Sequence, residues 1–107
     1  MEKRAYGQTG WDLSLLGFGG IIVTDVTPTE ADGYVGEAID RGINYFDVAP
    51  SYGNAEERLG PALKPYRDNV FLACKTGRRD AAGTQAELDN SLRLMRTDHF
   101  DLYQLHA

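Results

Sequence analysis

From Leu15 onward the chain alternates between short apolar runs and amphipathic stretches that open with a capping signal, and the alternation recurs about every 30 residues. That spacing fits one strand, one helix and their loops. Repeated βα units place their strands in a parallel sheet with helices packed on it, so the expected fold class is α/β.

The first helix is announced by Thr27-Pro28-Thr29-Glu30, a capping box with Pro at the first helical position, where its missing N–H costs nothing. Ala31, Tyr34, Val35, Ala38 and Ile39 form its apolar stripe and Gly42 ends it. Ile43-Asn44-Tyr45-Phe46 then reads as a buried strand ending at Asp47. Asn54 with Glu57 opens a second helix to about Leu63, which Gly60-Pro61 should kink or divide. Val70 to Lys75 is the clearest strand. Thr84 with Glu87 predicts a third capping box, before a helix that buries Leu88, Leu92 and Met95. Leu102 to Leu105 is the last strand and runs into His106. Near the start, Arg4-Ala5-Tyr6 and Asp12-Leu13-Ser14 flank a turn at Gln8-Thr9-Gly10, which predicts a small hairpin.

At 107 residues there is room for one domain and no second. An apolar share of 42% argues against wholesale disorder. The net charge of −5, with basic residues scattered singly or in pairs, argues against nucleic acid and anionic membranes, which need a basic patch. Cys74 is the only cysteine, so no internal disulfide and no cysteine-paired zinc site can form. With no apolar run of spanning length and no apolar segment behind the first basic pair, the chain is expected to be cytoplasmic.

Each strand ends in a polar residue. Asp47, Lys75 and His106 lie 28 and 31 residues apart, so a parallel sheet carries all three to its C-terminal edge, where α/β folds place their sites. Tyr52 lies five residues past Asp47 on that edge. A phenol, with a reference pKa near 10, becomes a useful acid near neutral pH only when its phenolate is stabilised, most directly by a cation. Lys75 is the candidate cation, Asp47 would hold it, and His106 could hydrogen-bond the carbonyl oxygen that Tyr52 protonates. This is an acid device for carbonyl reduction. The hydride must come from a nicotinamide cofactor, since no side chain supplies one. Taken singly, each of these residues is more often a cap or a solvated charge. Their joint placement carries the argument.

Two segments resemble the aldo-keto reductase family: Asp47-Val48-Ala49-Pro50-Ser51-Tyr52-Gly53-Asn54-Ala55-Glu56, and Ser91 through His106. The resemblance implies Tyr52 as general acid, Lys75 as its pKa-lowering partner, Asp47 as the Lys75 partner and His106 as the carbonyl-orienting group. It implies a (β/α)₈ barrel, with NADPH or less often NADH across the C-terminal face and a small aldehyde or ketone as substrate. Gly17-Phe18-Gly19-Gly20-Ile21 resembles the family loop beside the nicotinamide, which makes Gly19, Gly20, Ile21 and Asp47 the expected cofactor contacts and no residue a metal ligand. The glycine run by itself does not complete a dinucleotide fingerprint.

Two positions depart from the family pattern. Val48 stands where Thr is frequent, and Arg96 stands where a Gly usually ends the helix, which predicts a non-Gly residue at positive φ. Tyr45, Phe46, Tyr103 and Cys74 are expected in the core, Trp11 as a plug on the barrel floor, His99 on the surface and Arg78-Arg79-Asp80 as solvated loop charges.

A whole barrel needs about 200–250 residues, so residues 1–107 are expected to be a partial barrel: the hairpin, about four strands and three helices. By resemblance most of the dinucleotide-binding apparatus belongs to the other half, so weak or no activity is expected of this chain alone. The alternative is a non-catalytic half-barrel that associates with itself or a partner through open sheet edges. A regulatory, channel-associated relative carrying the same tetrad also stays open.

Overall fold

The computed structural model describes residues Met1–Ala107. Strands β1 (Lys3–Ala5) and β2 (Asp12–Ser14) form the antiparallel hairpin, with Gly7 and Gly10 at positive φ in its turn. Four parallel strands follow in the order β3 (Phe18–Gly19), β4 (Tyr45–Asp47), β5 (Phe71–Thr76) and β6 (Leu102–Leu105). Helices α1 (Pro28–Asp40), α2 (Ala55–Leu63) and α3 (Ala81–Met95) connect them. Four consecutive parallel strands with three crossover helices make a partial (β/α)₈ barrel. No helix is long and apolar enough to cross a membrane.

Alternation along the strands separates two faces. Phe46, Leu72 and Cys74 are fully buried against Val35, Leu59, Leu63 and Met95, so the core lies between sheet and helices. The strand residues between them, Asp47, Ala73 and Lys75, belong to the opposite face. The hairpin covers the starting ends of the strands: the rings of Tyr6, Trp11 and Tyr45 all meet Phe71, the first residue of β5, edge-on at 5.4–5.6 Å. Trp11 therefore sits at the barrel floor, as expected. Asn44 fastens the hairpin there by accepting from the Ser14 N–H and donating to the Asp12 carbonyl.

Helix α1 has its capping box, with Thr27 and Glu30 bonding each other's N–H groups. Ala31, Val35 and Ala38 form its buried stripe, but Tyr34 is exposed because the sheet needs only a narrow face of this helix. Asn54 is the N-cap of α2 by position only. Its Oδ1 accepts from the Asp25 N–H, tying the helix start to the preceding unit. Gly60-Pro61 does not divide α2, which continues to Leu63 and tightens into a 3₁₀ turn over Lys64–Asn69. Gly60 serves packing, because a Cβ there would lie 2.6 Å from Met95 Cα.

The third capping box is corrected. Asp80 caps α3 through the Gly83 N–H, four residues before the expected Thr84, and Glu87 is turned to the end of β5. Met95 is buried, while Leu88 and Leu92 are half-buried. Arg96 ends α3 in the left-handed region, φ 54° and ψ 44°. The turn into β6 is held by Asp101, which accepts from the Leu72 N–H and pairs with Arg67, both side chains 13% exposed. Arg67 also donates to the Val70 and His99 carbonyls.

Candidate active site

Asp47 is the last residue of β4, and its register partner Ala73 lies two residues before Lys75 on β5. The lysine side chain therefore reaches across to the neighbouring strand. Its Nζ lies 2.5 and 2.6 Å from the two Asp47 carboxylate oxygens and 3.5 Å from the Tyr52 hydroxyl. The same Nζ lies 5.3 Å from the Tyr52 ring centroid. The Lys75 side chain is 14% exposed. Burial opposes its charge, but the hydrogen bonds and charge of Asp47, with Tyr52 adding to them, outweigh that and hold the ammonium above the usual lysine range.

Tyr52 is presented by the loop between β4 and α2, and its backbone is pinned on both sides. Its N–H donates to Ala49, and its carbonyl accepts from the Thr24 hydroxyl and the Ala55 N–H. Gly53 follows at positive φ, and a Cβ there would lie 2.9 Å from the Thr24 methyl. Glycine is needed at that position to bring the loop back onto the preceding unit.

His106 follows β6. Its N–H donates to the Thr76 carbonyl, and its own carbonyl accepts from the Arg79 guanidinium. Its ring meets Tyr52 edge-on, with centroids 5.9 Å apart. Asp47, Tyr52, Lys75 and His106 thus come together at the C-terminal edge of the sheet. A cleft of about 210 Å³ opens beside them, lined by Pro50, Ser51, Gly77, Glu87 and His106.

Gly19 pairs in register with Asp47, and the space where its side chain would stand is open. Gly20 has none: a Cβ would lie 2.5 Å from the Asp47 carbonyl, so this glycine lets β3 close against β4. Ile21 is 61% exposed beside them. Gly19 and Ile21 thus leave an open shelf at the end of β3, in register with Asp47 and with no side chain at Gly19 in the way of a flat ring such as a nicotinamide. Among the residues lining the cleft and shelf there is no Lys or Arg to meet a pyrophosphate.

Three contributors escaped the sequence reading. Arg79 is an exposed loop charge, as expected, and in addition donates to the His106 carbonyl. Glu87 accepts from the Thr76 hydroxyl and the Gly77 N–H, which hold its carboxyl below the usual range, and so fixes the loop that follows Lys75. Ser51 places its Oγ 3.4 Å from His106 Nδ1. Nothing in the local pattern marks these three: Ser51 and Arg79 act on His106 from other units, and Glu87 reaches back 11 residues to the end of its own unit's strand. Behind the site, Cys74 is inert: burial, with Glu56 beside it, pushes its thiol up to about 12.

The Aldo/keto reductase family pattern matches residues 15–107. Aldo-keto reductase YhdN of Bacillus subtilis (strain 168) is 34% identical over 125 residues, covering 99% of this chain and 38% of that protein. The holo form of aldo-keto reductase AKR11C1 from Bacillus halodurans superposes with a TM-score of 0.86 at 35% identity, over 99% of this chain and 40% of that one. The aldo-keto reductase from Klebsiella pneumoniae in complex with NADPH gives a TM-score of 0.82 at 29% identity, over 89% of this chain and 36% of that one. The chain spans about two fifths of the length of these relatives. It belongs to the aldo-keto reductase family and forms part of that family's (β/α)₈ barrel.

Proposed function

We propose that this chain carries the proton-donating site of an NAD(P)H-dependent carbonyl reductase, with Tyr52 as general acid. The observation that carries the reading is the Lys75 ammonium, clamped by both Asp47 oxygens and 3.5 Å from the Tyr52 hydroxyl. A cation so placed stabilises the negative charge left on the phenol oxygen as its proton departs. His106, edge-on to Tyr52 at the mouth of the cleft, orients the carbonyl oxygen of an aldehyde or ketone toward that proton.

Gly19, Gly20, Ile21 and Asp47 would contact the nicotinamide end of NADPH or NADH. When bound, the cofactor supplies the hydride to the carbonyl carbon. Tyr52 gives its proton to the carbonyl oxygen, leaving an alcohol. Residues 1–107 form one part of a barrel domain and offer the nicotinamide only a partial seat, so turnover by this chain alone is weak or absent. Carbonyl-dependent NADPH oxidation by the pure chain tests both statements. Whatever turnover is measured should fall at least about 100-fold in Tyr52→Phe, the smaller end of what a general acid contributes. Turnover near the ordinary enzyme value of about 10 s⁻¹ would contradict the weak-activity statement, and turnover indifferent to Tyr52→Phe would contradict the chemistry.

A second reading is a non-catalytic half-barrel that associates with another chain. It is favoured by the unpaired outer edges of β3 and β6 and by Leu105, 68% exposed on β6. A dimer in solution that protects β6 amides from exchange supports it; a monomer at all concentrations counts against it.

A further inference from the structure

The imidazole of His106 has one hydrogen-bonding side chain near it. Ser51, immediately before Tyr52, places its Oγ 3.4 Å from Nδ1, across 55 residues of sequence. The histidine backbone is already fixed at both ends, by the Thr76 carbonyl and the Arg79 guanidinium. What remains to be set is which ring nitrogen carries the proton.

A neutral imidazole has one N–H and one lone pair, and the partner of one nitrogen decides the state of the other. A serine hydroxyl has one hydrogen to give. No other protein acceptor lies within hydrogen-bond distance of the Ser51 hydroxyl. Resting on the carbonyl-reduction reading above, we propose that Ser51 is a positioning residue: its hydroxyl donates to Nδ1 and holds His106 as the Nε2–H tautomer. The ring then presents a donor to the carbonyl oxygen that Tyr52 protonates. With the opposite tautomer, a lone pair would face that oxygen and repel it. Ser51 also lines the cleft beside His106, so it sets the tautomer where the carbonyl enters.

Long-range ¹H–¹⁵N correlation of the histidine rings in the labelled 107-residue chain, at pH 8 and so above the ordinary histidine range, reads this directly. The chain has two histidines, and His99, paired with Asp98 on the surface, is the internal control. Wild type should show His106 mainly as Nε2–H. Ser51→Ala should raise the ratio of Nδ1–H to Nε2–H about two- to tenfold, the range that one net hydrogen bond spans, and Ser51→Thr should restore it, with His99 unchanged throughout. A wild-type ring in the Nδ1–H form, or a His106 spectrum identical in Ser51→Ala, overturns the proposal. An unchanged tautomer alongside Tyr52-dependent NADPH oxidation removes Ser51 alone. Measurable oxidation that is unchanged by Tyr52→Phe removes the reductase reading and, with it, the use of the fixed ring.

Discussion

At Lys75 a mostly buried ammonium depends on one carboxylate, and this dependence has a pH signature. Because its pKa is raised on folding, its contribution is complete below the unfolded value of about 10.4 and is lost as pH rises through the folded value. Thermal unfolding followed from pH 9 to 12 should show wild type losing stability that Lys75→Met, already weaker at pH 9, no longer has to lose. Arg96 makes the opposite case, a residue whose backbone works against it. Its left-handed conformation costs an L side chain about 1–2 kcal/mol, partly offset by the greater freedom glycine has when unfolded. Arg96→Gly should therefore raise stability by up to about 1 kcal/mol, measured by urea unfolding; a loss would mean that the guanidinium makes a compensating contact. At this scale Asp47, Lys75, His106 and the Arg96 strain were all legible. The first three sit at strand ends, where chain order determines their place, and Arg96 was marked by the resemblance, standing where the family usually ends the helix with Gly. Ser51, Arg79 and Glu87 were not, since their partners lie 55, 27 and 11 residues away and only the closed fold brings them within reach.

Among the elements, α2 and α3 meet at closer range than their side chains would ordinarily allow. Gly60 makes that approach possible, and Gly60→Ala would drive a methyl into the backbone of Met95. Overpacking of this kind costs about 1–3 kcal/mol, so the variant should unfold at correspondingly lower urea. From sequence, Gly60-Pro61 looked like a helix breaker. Close packing outweighed local propensity there, and Pro61 is carried near the end of the helix, where only a 3₁₀ turn follows. Thr84 and Glu87 likewise had the spacing of a capping box. Asp80 took the N-cap first, leaving Glu87 free to receive the end of β5. Glu87 titrates below the usual range, so its contribution is present above the unfolded value of about 4.3 and is lost as pH falls. Glu87→Gln should be less stable than wild type at pH 7 and should lose less of its remaining stability between pH 5 and 3, as thermal scans would show.

Across the whole molecule, the parallel order β3-β4-β5-β6 brings residues from three successive units to one edge, and the hairpin closes the other. The βα period was enough to foresee that arrangement. It could not foresee how each loop is tied to its neighbour, because Thr24 to Tyr52, Asn54 to Asp25 and Arg79 to His106 are contacts between units. The central claim is that this edge delivers a proton from Tyr52 to a carbonyl oxygen once a nicotinamide is held in place. It is tested most directly in a chimera in which residues 1–107 replace the aligned segment of the Bacillus subtilis relative YhdN, comparing carbonyl-dependent NADPH oxidation with and without Tyr52→Phe. The account predicts turnover by the chimera and a fall of at least about 100-fold in the variant, with NADPH affinity unchanged. A folded chimera that binds NADPH and turns over equally well with Phe at position 52, or does not turn over at all, would contradict it.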